Sequence, residues 1–412
     1  MSMKIAAEGF PNPPLGEKPI LVVRVYDGER DKAAVEELER QSEVGKRGKP
    51  SVVTDLMGDP TARIRNFPSH IMLVAEYVKE REIVGVIRGC IKVVTKGKKP
   101  SNEFPVHVKL ACILGLRVSA AHRRLGIGIK LVQQLEEWCI KNGANYAYMA
   151  TECSNQPSLN LFTIKCNYIK FRSPTVLVQP IHAHYKPLSS GTSLIRVSPE
   201  LATLIYRRTF ANSEFFPEDI NNILNNKLNL GTFVALPKKC LSNWDPKSGC
   251  FPPSFAILSI WNTKEVFKLK VKGVSSIKYA CSLGSRALDA LLPWLRLPSI
   301  PNIFRHFGFY FLYGLHMEGP NGSHLMKSLC SLAHNMARDD RGCKILVAEV
   351  SQNDPVGEAI PHWKRFSWDD LWCIKKLKAD EEIEERCSYE ADDWIRSRAC
   401  SSSVTFVDPR DI

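Results

Sequence analysis

The sequence predicts an α/β fold on a mixed sheet, built as two tandem copies of which the second is degenerate. Three observations carry that expectation. Over residues 20–178, segments rich in Val and Ile alternate with amphipathic stretches in the order β-α-loop-β-β-β-α-β-α-β, and strands interleaved with helices build an α/β sheet. A glycine-containing turn, HRRLGIG from His122 to Gly128, closes an apolar run and opens an amphipathic one. Two segments recur in the same order and at similar spacing: CILGLRV (112–118) resembles YFLYGLHM (310–317), and ATECSNQP (150–157) resembles AEVSQNDP (348–355). Such recurrence points to a duplicated fold.

Taken in order, residues 20–26 (ILVVRVY) predict a strand, and Glu29 to Ser42 a polar helix with Ala33, Ala34, Val35 and Leu38 on its apolar face. Lys46 to Pro68 is rich in Gly, Pro and charge and predicts a long loop with a short helix near Thr61. Ile71–Val78 and Ile83–Val94, separated by Lys79 to Glu82, predict a hairpin. Leu110 to Val118 is apolar on both faces, as a central strand is. In the next helix Ile129, Val132, Leu135, Trp138 and Cys139 fall at three- and four-residue steps, and Asn142-Gly143 ends it. Tyr146–Thr151 predicts a strand, Ser158–Lys165 a helix and Phe171–Val178 a last strand. The domain reading is an extension at 1–19, a first domain at 20–179, a Pro- and Ser-containing linker at 180–192, the second copy at 193–378 and an acidic, solvated tail at 379–412.

The formal net charge is +13, yet residues 379–412 hold ten acidic and four basic residues, so the remaining body is strongly basic. Such a body suits acidic partners, among them nucleic acid, chromatin or a phosphorylated cofactor, or is simply a solvated surface. The 13 cysteines are scattered, with no C-x-x-C pair and no Cys/His cluster at zinc spacing. No metal site is expected, and reduced thiols suit the cytosol or nucleus. No apolar run is long enough to span a bilayer, and the first residues, MSMKIAAEGFPNPP, lack a secretory core.

The HRRLGIG turn invites an anion. A helix N-terminus presents unpartnered amides and partial positive charge, and an anion placed there satisfies both. Gly126 and Gly128 let a ligand approach the backbone, and Arg123 and Arg124 add full charges. A Gly-Lys-Ser/Thr ending and a G-x-G-x-x-G run are both absent, which sets aside the two commonest nucleotide loops. R-x-x-G-x-G after a buried strand suits a pyrophosphate.

With its strand order, this turn resembles that of the GCN5-related N-acetyltransferase (GNAT) superfamily, over roughly residues 20–178. Asn155-Gln-Pro-Ser158 and the segment Leu161 to Tyr168 look like that family's next motif, with Asn167 where a Gly is common. The whole chain resembles the plant HOOKLESS-type group, which is tied to apical-hook growth and to ethylene and auxin response. The resemblance implies acetyl-CoA as co-substrate and a protein amine as acceptor, with a histone or chromatin-associated lysine as candidate, in nucleus or cytoplasm. It implies that Arg123, Arg124, Leu125, Gly126, Ile127, Gly128 and Ile129 hold the pyrophosphate. Leu116, Arg117 and Val118 would bond the pantetheine arm, and Asn155, Ser158 and Phe162 would complete the cofactor site.

The acid–base groups are less well marked. A lysine amine, with a pKa of about 10.4, must lose a proton before it attacks. His107, before the buried strand, is the first choice of base, with a loop-edge histidine as the alternative; Glu152, Glu76 and Glu103 follow, with a surface carboxylate, an ion-paired carboxylate and a solvated loop carboxylate as their respective alternatives. Where many relatives carry a Tyr that protonates the leaving thiolate, this chain has Phe162; Tyr168 could stand in, or pack in the core. Where histone-acetylating relatives place a Glu, it has Cys112. The second copy carries Gly319-Pro-Asn-Gly322 in place of the arginines and G-x-G, so it is expected to have lost the ligand. Two functions stay open: an N-acetyltransferase, or a scaffold that binds acetyl-CoA without efficient turnover.

Overall fold

The computed structural model describes residues 20–42, 51–97, 105–245, 252–295, 301–377, 393–396 and 405–412. The 1–19 extension, Glu103, and the acidic run as far as residue 392 lie outside the described residues.

In the first half, β1 (Leu21–Val25) leads to α1 (Gly28–Gln41), whose N-terminus is capped by the Asp27 carboxylate accepting from the Glu29 and Arg30 amides. β2 (Ser51–Asp55), β3 (Ser69–Tyr77), β4 (Glu82–Lys96) and β5 (His107–Val118) follow, then α2 (Ile127–Lys141), β6 (Tyr146–Glu152), α3 (Gln156–Leu159), β7 (Ile169–Arg172) and β8 (Thr175–Pro180). The second half runs β9 (Thr192–Val197), α4 (Pro199–Phe210), β10 (Glu214–Pro217), α5 (Ile220–Leu224), β11 (Asn229–Pro237), β12 (Phe255–Asn262), β13 (Lys268–Lys272), α6 (Ser276–Leu291), β14 (Gly308–Glu318), α7 (Gly322–Asp339), β15 (Cys343–Val350) and β16 (Trp368–Lys376).

One mixed sheet runs through both halves in the order β1-β3-β4-β5-β6-β16-β8-β15-β14-β12-β11-β9. Each half repeats one plan. Antiparallel strands lead to a bulged central strand, then a long helix, then a parallel partner: β5 with β6, and β14 with β15. The bulges fall at Gly115 and Gly314, with φ of +55° and +59°. The match between CILGLRV and YFLYGLHM is therefore a shared backbone feature. α2 buries Ile127, Leu131, Val132, Leu135 and Cys139 on one face of the first half, and α7 packs in the same way on the second. A third core runs between the halves, on the sheet face opposite α2, and includes Cys112, Tyr148, Tyr313 and Trp372.

The domain boundaries drawn at 179 and 193 do not follow the sheet. β8 leaves the first half and pairs with β15, while β16 returns from the far end of the chain to pair with β6 and β7. The single strand expected at Phe171–Val178 is two, β7 and β8, each serving a different neighbour. The long loop at 46–68 contains β2, which pairs with β13, and β10 pairs with β4. The expected solvated tail is also corrected at its end: Thr405 to Arg410 are buried, with Phe406 packed against Tyr206, Phe210 and Phe216. The acidic composition of 379–412 comes mostly from its first fifteen residues and masks the apolar pair Phe406-Val407.

Candidate active site

β5 and β6 lie side by side only from Leu110–Ile113 against Tyr146–Met149. Beyond that they part, and among the described residues no strand takes up the free edge of Leu114–Val118. The fork is held open from below. A Cβ at Gly115 would lie 2.7 Å from Arg88 Nη1, so the bare glycine admits this buried guanidinium beneath the bulge. Arg88 donates to the Gly115 carbonyl at 3.3 Å, to Glu39 at 2.7 Å and to the Pro60 carbonyl at 2.8 Å. Arg117 donates to the other Glu39 oxygen at 3.1 Å. Burial pushes the Glu39 carboxyl up, but Arg88 and Arg117 outweigh it and hold it below its ordinary value, so it stays charged.

Past the fork, Ser119 donates its amide to the Val84 carbonyl at 2.8 Å, and the chain turns through Arg124 (φ +66°) and Gly126 (φ +80°) into α2. No side chain caps α2, and no acidic residue stands in its first turn. A Cβ at Gly126 would meet nothing within 4 Å. Arg123, Arg124 and Leu125 are exposed, and neither arginine has an ion-pair partner among the described residues. Gly128 lies against Leu161 and Val118, which wall the turn, while Ile127 is buried and Ile129 half-buried. Leu116, Arg117 and Val118 are half-exposed along the free edge. Among the described residues, a helix start without a side-chain cap or an acidic first turn, beside two cations without ion-pair partners, has the means to hold a multiply charged anion.

Other predicted residues fall elsewhere. Asn155 caps α3 by accepting from the Ser158 amide at 3.4 Å and donates to Thr151 at 2.9 Å, so it ties α3 to the end of β6. Ser158 is half-buried beside it. Phe162 lies in a π turn (Asn160–Lys165) and is buried edge-on against Tyr168, ring centroids 5.2 Å apart. Tyr168 is in the core on the α2 side, not in the fork, and burial raises its phenol well above its ordinary value. It packs, and does not replace the missing hydroxyl. His107 opens β5 at the end remote from the fork, on the order of 20 Å from Ile113 by strand rise, and cannot serve as base there. Glu76 is gripped by Arg24 and Arg30. Glu152, at the end of β6, accepts from the Ser154 hydroxyl and faces Asp370 of β16. Burial pushes the Asp370 carboxyl up to about 6.

Sequence reasoning missed a group of side chains at the fork on the face opposite α2. Cys112 and Tyr148 are paired across β5 and β6, one residue before the strands part. The Tyr148 hydroxyl donates to Asp411, and Lys92 of β4 donates to the same carboxylate oxygen at 2.5 Å. Tyr148 was legible only as part of a strand, and nothing local marks Asp411.

Residues 35–168 match the model of the Acetyltransferase (GNAT) family. The chain is 48% identical over 409 residues to "Probable N-acetyltransferase HLS1" of Arabidopsis thaliana, covering 95% of this chain and 99% of that protein. It is 42% identical over 432 residues to "Acetyl transferase GW6a" of Oryza sativa subsp. japonica, covering 96% and 98%. Among solved structures, Saccharomyces cerevisiae N-myristoyltransferase with bound myristoyl-CoA shares the fold over 92% of this chain and 86% of its own, with a TM-score of 0.53 at 11% identity. The chain therefore belongs to the GNAT acetyltransferase family, as an acyl-CoA-using acyltransferase of the plant HOOKLESS-type group.

Proposed function

We propose that this protein transfers acetyl from acetyl-CoA to a protein lysine amine, with histones or other chromatin proteins as the acceptor class. The observation that carries the reading is the bare, doubly cationic turn at Arg123–Gly128 beside an unpaired strand edge. The diphosphate sits on the first amides of α2, with Arg123 and Arg124 over it. The arm lies along Leu116–Val118 as an added strand, and a main-chain amide of that edge polarises the thioester carbonyl. The acceptor amine attacks that carbon directly within one ternary complex. Acetyl is favoured over longer acyl groups because the relatives at 42–48% identity are named as acetyltransferases. From the resemblance to the HOOKLESS-type group we extend the proposal to a role in hormone response and hook growth, in nucleus or cytoplasm.

Cys112 and Phe162 lack the acid–base groups of other family members, and this favours a second reading, an acetyl-CoA-binding scaffold with slow turnover. Calorimetric titration of acetyl-CoA, followed by thiol release with poly-L-lysine as acceptor, separates the two. Binding with turnover supports transfer, and binding without turnover supports the scaffold. Absence of heat together with an unmoved melting temperature removes both.

A further inference from the structure

The fork has two faces. α2 and the anion seat lie on one; backing the fork on the other are the buried side chains of Arg88, Cys90 and Lys92 of β4, Leu110, Cys112 and Leu114 of β5, and Tyr146 and Tyr148 of β6. None of these is a carboxylate. Glu39 of α1 reaches under the bulge but is held by Arg88 and Arg117. Glu152 of β6 and Asp370 of β16 face each other at the open end of the fork, and Asp411, which bonds Tyr148 of β6, reaches this face from the far end of the sequence.

Asp411 accepts from Lys92 and Tyr148 through Oδ2, while its Oδ1, shielded from solvent, has no hydrogen-bond partner among the described residues. The side chain as a whole keeps 12% of its surface exposed. A buried acceptor without a donor is costly and uncommon. The charge count leans the same way. Lys92 also pairs with Asp408 at 3.3 Å, and Arg410 pairs with Asp408 at 2.8 Å and Asp219 at 2.7 Å. In this network two cations face three carboxylates, leaving room for one more positive charge. Other groups facing Asp411 are the thiols of Cys90 and Cys112, the Tyr148 phenol and Glu349 of β15, while Arg63 donates only to its main-chain carbonyl. Burial raises the Asp411 carboxyl and Lys92 pulls it back, with a net upward direction.

We propose that Asp411 is the proton acceptor of the transfer reaction. The proposal rests on the acetyl-transfer reading above. Asp411 Oδ1 receives the acceptor ammonium as a hydrogen bond and takes one of its protons, leaving a neutral amine. The nitrogen lone pair forms the C–N bond to the thioester carbon, the C–S bond breaks as its electron pair goes to sulfur, and the second nitrogen proton leaves as the amide forms. One proton reaches the thiolate through Asp411 and the other passes to solvent. The products are the acetamide, free CoA thiol and one proton.

The test uses the full chain, acetyl-CoA and poly-L-lysine. Asp411→Asn is expected to keep the Kd for CoA within threefold of wild type, to lower kcat at least 100-fold at pH 7, and to remove the acid limb of the kcat/KM profile. Turnover within threefold of wild type, or an unchanged acid limb, overturns the proton role. Should Asp411→Asn melt below the assay temperature, Asp411→Glu decides. It keeps the charge that holds Lys92 but displaces the carboxylate by one methylene. A loss of kcat of tenfold or more with CoA affinity intact supports the proposal; a rate within threefold of wild type overturns it. Wild-type protein that binds no CoA overturns the acetyl-transfer reading itself, an outcome distinct from active wild type matched by an active variant.

Discussion

The two halves of this protein carry the same strand–bulge–turn–helix unit, and they differ in whether the turn is open. In the first, Gly126 faces empty space and the two arginines point outward unpaired. In the second, Gly319 (φ +75°) packs so closely that a Cβ would collide with the Pro253 carbonyl, and the Asn321 amide donates to Ser254 at 3.5 Å. The forks differ likewise. Beneath Gly115 lies a charged guanidinium; beneath Gly314 lies the Tyr206 ring, whose hydroxyl bonds Ser259 at 2.7 Å. One backbone is thus left open in the first half and closed in the second, and what decides is whether the protein's own atoms already satisfy the amides.

The sharpest break of this comparison is Gly126→Asp. A carboxylate set against the diphosphate is expected to weaken CoA binding at least 100-fold by calorimetry, about 2.7 kcal/mol or more, while Asn321→Asp in the second turn leaves the affinity unchanged. Tight binding by Gly126→Asp would remove the anion seat. Next comes stability. Gly319→Ala must strain the backbone and displace Pro253, with an expected cost of about 2–4 kcal/mol in denaturant unfolding. Gly126→Ala meets only the backbone penalty of about 1 kcal/mol. Equal costs would mean the two turns are equally packed. Third, replacing both Arg123 and Arg124 with Ala should lower CoA affinity roughly tenfold at low ionic strength and less in 0.5 M salt, because exposed charges are screened.

The smallest effect concerns how far the second fork is sealed. Glu349 stands there beyond the last β14–β15 pair, buried beneath Trp372, which donates to it at 2.9 Å. Burial pushes its carboxyl up to about 8. The native state therefore keeps a proton that the unfolded chain releases from about pH 4.5 upward. Its stability is complete below that pH and falls as pH rises toward 8. Glu349→Gln keeps an acceptor for Trp372 without the charge, so its melting temperature should exceed wild type by about 2–5 °C at pH 8.5 and match it at pH 4.5. A pH-independent difference would show that this fork admits water.

The open strand–turn–helix junction at Arg123–Gly128 was legible in sequence because everything that makes it is local: a run of apolar residues, two arginines, two glycines and a helical stripe within about thirty positions. The duplication was legible for the same reason, since Gly115 and Gly314 punctuate similar strands. Long-range pairing was not. β2 is five residues long and its partner β13 lies more than 200 positions away, so its flanking Gly, Lys and Pro suggested a loop. The acid–base groups failed for a related reason. His107 was chosen by its proximity in sequence to the buried strand, but a twelve-residue strand carries its first residue far from its last. Asp411 sits beside Lys92 and Tyr148 only because the chain returns after more than 250 residues.

The exchange of β8 and β16 fixes the order in which this molecule can mature on the ribosome. β6 emerges early, yet the strand that covers its outer edge ends at Lys376. At a synthesis rate of about 5–20 residues per second, that edge waits on the order of 10–40 s for its neighbour. A bare strand edge is a template for self-association, so the outer edge of β6 stays open to such pairing until β16 arrives.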